Sequence, residues 1–138
     1  VFLLDTNTFD LFVEGDENLL QKIQQEHGRV FLSSIAAEEK VVGRLNNINR
    51  ARSRRTSLSL AKAHADFTQT LEDFKLLPVL AYSEAADALF KTFPAALLRV
   101  GAQDCRIAAQ AMAHGLTVVT RNLRDFENIG APCTDWGN

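Results

Sequence analysis

The first four residues, Val1-Phe2-Leu3-Leu4, are apolar without alternation, and they stop on Asp5-Thr6-Asn7. A strand with apolar residues on both faces belongs in the middle of a parallel sheet covered by helices. A carboxylate at its carboxyl end lies where open α/β sheets bind ligands. The same grammar returns far along the chain. Asp104 opens the apolar segment Ile107–Ala113, and the short run Thr117-Val118-Val119-Thr120 then stops on Arg121-Asn122. Two strand ends with polar groups and an acid at a helix start therefore point to one place.

The intervening sequence reads as strands alternating with helices. Helices are expected over about 6–14 and 17–27, the second capped by Asp16 and ended by Gly28. Val30-Phe31-Leu32 is a second strand. Ser34 is the expected cap of a long helical stretch. Its Arg- and Asn-rich part, 44–57, gives way to an apolar-periodic helix over 58–76. The two form antiparallel helices, or one bent pair, projecting from the sheet at about 44–76. Leu77–Leu80 is a third strand, followed by a helix from Ser83 to Phe93 closed by Pro94. Residues 95–101 read as a connection, 102–114 as a helix stopped by Gly115, and 117–120 as the fourth strand. Phe126 and Ile129 anchor a short segment, and Cys133–Trp136 is an edge strand. The fold class is α/β, an α/β/α sandwich around a mainly parallel sheet, in a single domain over 1–138.

Length and composition fit that reading. With 138 residues, 46% hydrophobic and 23% charged, the chain suits one soluble domain with a real core. The net charge of −2 does not mark a nucleic-acid binder by its sum. Its distribution is uneven: Arg44, Arg50, Arg52, Arg54 and Arg55 fall within 44–55, where there is no acid. These arginines, with Arg99 and Arg121, are the candidates for contact with the phosphates of a nucleic acid. Two cysteines exclude a disulfide framework or a Cys-rich zinc site. Cys105 reads as a small core residue. His27, His64 and His114 share no spacing and read as surface or helix-end residues. No apolar run reaches a membrane span, and the first residues lack a leader pattern. The expected location is the cytoplasm.

If Asp5, Glu39 and Asp104 converge, their mutual repulsion favours protons or a cation; two carboxylates about 4 Å apart repel by about 4 kcal/mol at an effective dielectric near 20. A hard divalent ion, Mg²⁺ or Mn²⁺, prefers such oxygen ligands. Metal on an acidic cluster is a means of hydrolysing phosphodiesters.

Four stretches together carry a family resemblance: Leu4-Asp5-Thr6-Asn7; Ser34-Ile35-Ala36-Ala37-Glu38-Glu39 with Gly43; Gly101 through Ala111; and Val119-Thr120-Arg121-Asn122-Leu123-Arg124-Asp125-Phe126. The chain resembles the PIN domain, and within it the VapC-type toxins of type II toxin–antitoxin pairs. The resemblance implies a Mg²⁺- or Mn²⁺-dependent ribonuclease. It places Asp5, Glu39 and Asp104 as catalytic and metal-holding acids. The fourth position falls on Asn122, where many relatives carry Asp, with Asp125 nearby as an alternative. Thr6, Asn7 and Thr120 match pocket-lining positions. Lys40 stands where relatives often have an apolar residue. The resemblance further implies an RNA substrate, a cognate antitoxin and a homodimer.

Two other readings compete. Asn122 keeps alive a non-catalytic PIN module that binds RNA or a protein partner. A phosphatase with an Asp nucleophile is disfavoured, because the residue two after Asp5 is Asn7 rather than an acid.

Overall fold

The computed structural model describes residues 1–137. Five strands, β1 (Phe2–Leu4), β2 (Val30–Ser33), β3 (Val79–Leu80), β4 (Thr117–Val119) and β5 (Cys133–Thr134), form one sheet. Their order is β3-β2-β1-β4-β5, and every pairing is parallel. β1 is central, which is why Leu3 and Leu4 are completely buried. The chain steps from β1 outward through β2 to β3, then crosses back to place β4 on the other side of β1. The strand order thus reverses between β1 and β4, and at such a switch point a crevice opens at the carboxyl ends.

The helices are α1 (Thr6–Val13), α2 (Glu17–Gln25), α3 (Ser34–Arg52), α4 (Leu60–Asp73), α5 (Glu84–Phe90), α6 (Ala95–Leu98), α7 (Ala102–His114) and α8 (Leu123–Ile129). The usual right-handed crossovers put α1–α4 on one face and α5–α8 on the other. The packing agrees, with α1 against α2 and α3, α3 against α4, and α7 against α5, α6 and α8. Phe9, Leu19, Leu32, Ile107, Val118, Val119 and Phe126 fill the core between the layers.

Several boundaries differ from the sequence reading. Ser33, not Ser34, caps α3: its hydroxyl accepts from the Ile35 N–H at 3.1 Å. Ser33 also meets the side chain of Gln110, whose amide donates to the Leu80 carbonyl at 3.0 Å. Both residues are fully buried, so this polar chain is satisfied by design of the fold. α2 ends at Gln25, and Gly28 sits in the following turn at φ +78. α5 stops at Phe90. The expected connection at 95–101 contains α6, a single turn after Pro94. α3 runs through the Arg-rich stretch to Arg52, and α4 starts only at Leu60, behind Ser59 as cap. Arg44 Nε donates to Thr70 Oγ1 at 2.9 Å, and Ile48 is buried in the same hairpin. These contacts hold helical a segment with weak apolar periodicity.

Candidate active site

Asp5 follows β1 and caps α1. Its Oδ1 accepts from the Thr8 N–H at 3.0 Å, and its own N–H donates to the Val119 carbonyl at 3.4 Å. One residue therefore joins the ends of β1 and β4 at the switch point. It is 5% exposed, a placement a carboxylate tolerates only with hydrogen bonds or a counter-charge.

Glu39 reaches the same place from α3. Thr6 Oγ1 donates to Glu39 Oε1 at 3.3 Å. Burial raises the Glu39 pKa, the Thr6 hydrogen bond opposes the rise, and the charges of Asp5 and Glu38 add to it. Asp104 stands in the first turn of α7. Gly101, at φ +149, starts that helix in a backbone conformation that side chains rarely adopt. Burial, then the charges of Asp5, Glu39 and Asp125, push Asp104 up to about 6. The three acids read from the sequence therefore sit in one another's fields, together with Asp125. Glu39 and Asp104 are both shifted upward, so the cluster as a whole favours an added proton or a cation.

Asn122 occupies the cap position of α8, yet its side chain does not cap the helix. Its amide Nδ2 donates to Asp125 instead, and its backbone N–H donates to Thr120 Oγ1 at 2.9 Å. Thr120 is fully buried beneath this turn. Asn7, expected to line the pocket, is exposed on α1 and borders neither cleft beside Glu39.

Those clefts meet at Glu39. One, of about 470 Å³, runs between α1 and α3 past Thr6, Asp10, Lys40 and Asn47. The other, of about 350 Å³, is bordered by Glu38, Asn46 and Gln103. A larger hollow of about 650 Å³ around Tyr82 and Lys91 contains none of these site acids. Sequence reasoning overlooked Asp10, which forms an ion pair with Lys40 at the wall of the first cleft. The signal was present: a lysine next to Glu39 on a part-buried helix face calls for a counter-charge.

The arginines divide by placement. Arg44 is engaged with Thr70, and Arg121 Nε pairs with Asp135 at 3.3 Å. Arg50, Arg52, Arg54 and Arg55 are exposed at the α3–α4 tip, and Arg99 is exposed after α6.

The donor chemistry was tested against a metal. Among the described residues, no three Asp, Glu, His or Cys side chains are close enough to enclose an ion by themselves. Mg²⁺ does not require that: it keeps several waters and binds through one or two carboxylates. An all-oxygen set in which burial, and then neighbouring charge, disfavours a bare carboxylate at Asp104 fits a hydrated hard cation. Among the described residues, no helix is long and apolar enough to cross a membrane.

The sequence and the fold have counterparts. The chain is 32% identical to the tRNA(fMet)-specific endonuclease VapC of Salmonella typhimurium, over 98% of this chain and 97% of that one. It is 28% identical to the ribonuclease VapC1 of Rickettsia felis, over 92% and 89%. The crystal structure of DNA-bound VapBC from Salmonella typhimurium superposes with a TM-score of 0.75 at 30% identity, covering 98% of this chain and 97% of that one. Residues 2–132 match the PIN domain, and the chain belongs to the PIN domain family.

Proposed function

We propose that this chain is a Mg²⁺- or Mn²⁺-dependent endoribonuclease acting as the toxin of a toxin–antitoxin pair. The observation that carries the reading is the placement of Asp5 at the joined ends of β1 and β4, with Glu39 linked to it through Thr6 and with Asp104 and Asp125 close enough to act on one another's charge. Relatives named as a tRNA endonuclease and a ribonuclease, and a similar toxin–antitoxin complex, support it.

In this reading a hydrated ion would sit among Asp5, Glu39 and Asp104, held directly by one or two of them and through its waters by the rest. When bound, the ion activates a water and offsets charge on the phosphoryl oxygens. Thr6 orients Glu39. Asn122 orients Asp125, the fourth site group, and Thr120 fixes the turn that carries Asn122. Arg50, Arg52, Arg54, Arg55 and Arg99 are free to meet RNA phosphates, whereas Arg44 and Arg121 serve the fold first. The protein partners are a cognate antitoxin and a second copy of the chain, and the activity belongs to the cytoplasm. The rival reading, a non-catalytic binding module, rested on Asn122; an amide that positions a carboxylate removes much of its force.

The test is incubation of the purified chain with total RNA and Mg²⁺, Mn²⁺ or EDTA, beside Asp5→Asn. Discrete fragments that need metal and vanish in the variant are expected. A folded protein that binds RNA and cuts nothing under any condition would establish the rival.

A further inference from the structure

Gly43 lies on α3 one turn beyond Glu39 and is exposed. Glycine inside a helix weakens it relative to alanine, because it has the most backbone freedom to lose. Such a residue usually answers a need for left-handed backbone or for a close neighbour. Neither applies here: Gly43 is not among the positive-φ glycines, and a Cβ built on it meets nothing within 4 Å.

What distinguishes Gly43 is its position. It borders both clefts that flank Glu39. Gly43 and Glu39 are the two residues the clefts share, and Val42 is exposed at the wall of the second. The helix carries a polar stripe onward from this point. Positions 39, 43, 46, 47 and 50 follow the spacing of a single helix face. They hold Glu39, Gly43, Asn46, Asn47 and Arg50, with no apolar side chain among them. Arg50 lies about 17 Å from Glu39 at 1.5 Å per residue. Arg52, Arg54 and Arg55 crowd the same tip, and among the described residues none of the four forms an ion pair.

We infer that a single RNA strand lies along this face of α3, crosses the helix at Gly43 beside Glu39, and delivers a phosphate remote from the cleaved bond to Arg50 and its neighbours. The inference rests on the ribonuclease reading and adds the path of its substrate. About 17 Å corresponds to about five nucleotides at the 3.4 Å spacing of a stacked strand. The amides of Asn46 and Asn47 donate and accept, as recognition of unpaired base edges requires. The missing Cβ lets a sugar-phosphate backbone approach the helix. A protein segment could also meet the arginines, but the stripe's continuity with a reacting acid favours the strand.

The experiment measures cleavage by the full chain of two labelled oligoribonucleotides around one mapped site. The short one ends beside the cleaved bond, and the long one reaches past the hairpin tip. Wild type is expected to favour the long one through KM. Gly43→Leu raises KM for the long substrate at least about tenfold, with a smaller effect on kcat. Gly43→Ala raises the melting temperature by about 4 °C and still raises KM. A more stable protein that binds substrate less well is not the result of a merely structural glycine. The double variant Arg50→Gln, Arg54→Gln flattens the salt dependence of long-substrate binding by about 1.4 in logarithmic slope. Arg29→Gln, the same charge change at the amino end of β2, does not.

Wild-type KM in Gly43→Leu, or an unchanged salt slope in the arginine pair, overturns the path. So does a Gly43→Leu enzyme that cuts normally but escapes its antitoxin, which would assign the face to a protein. If wild type cuts neither oligonucleotide, the ribonuclease reading falls instead, and RNA-binding anisotropy with the same variants still decides the path.

Discussion

The side-chain amide of Asn122 donates to the carboxylate of Asp125, one turn further along the chain. The amide does not cap its helix, so its work is to aim a carboxylate. Asn122→Ala loses one hydrogen bond at an exposed place, worth no more than about 0.5 kcal/mol of stability. RNA cleavage by this variant is expected to fall about tenfold in kcat, with a melting temperature within about 2 °C of wild type. A stability loss with unchanged kcat would contradict the assignment.

Asp5 combines two roles that two substitutions separate. Asparagine still caps a helix, whereas alanine does not. Asp5→Asn is expected to abolish cleavage while leaving the denaturant midpoint almost unchanged. Asp5→Ala should abolish cleavage and also lose about 1 kcal/mol from the missing bond to Thr8. Urea titration of both variants, read beside cleavage of one RNA, checks this; wild-type rates in Asp5→Asn would remove Asp5 from the site.

Asp104 ties stability to pH. Its folded pKa of about 6 lies above the ordinary 3.8, so the folded protein binds this proton more tightly than the unfolded chain. The resulting penalty is absent below about pH 4, grows up to about pH 6, and is complete above it. At face value it is about 3 kcal/mol; half-exposure to solvent reduces that to about 1–2 kcal/mol. Asp104→Asn should therefore melt higher than wild type at neutral pH and equally at about pH 3.5, in metal-free buffer. Calorimetry showing the same gain at both pH values would sever the link to Asp104.

A cation that binds only the folded state stabilises it by about 2.7 kcal/mol at a hundred times its Kd. Thermal scans of wild type should rise with added Mg²⁺ or Mn²⁺, and the rise should shrink as pH falls through 6 and protons reclaim Asp104. Asp5→Asn should lose most of the response. An equal response in that variant would place the ion elsewhere.

Much of this was legible in the residues. Leu3 and Leu4 announce a central strand because a strand buried on both faces has no need to alternate, and Asp5 marks its carboxyl end. Asp104 and Asn122 follow the same logic at α7 and β4. The cap of α3 was less legible, because Ser33 and Ser34 are chemically equal; burial of Ser33 against Gln110, a partner from a distant helix, decides between them. The single turn α6 escaped because four residues carry too little periodicity. The helical state of 44–52 depends on Arg44, Ile48 and their contacts with α4 rather than on local pattern. Asn7 was placed in the pocket through the family resemblance; it is exposed on α1 and borders neither cleft beside Glu39.

The bond between Ser33 and Gln110 has a consequence for alignment. Ser33 sits at the root of the helix that carries Glu39, and Gln110 sits in the helix that carries Asp104. The two helices come from opposite layers of the sandwich, and this bond ties them together alongside the one from Gln103 to Glu38 at 3.0 Å. A substitution at either partner would let the two carboxylates drift out of step while every acid is still in place. Loss of activity at this pair would then mimic the loss of an active-site acid, and a compensating change would be found in the facing helix rather than among the acids.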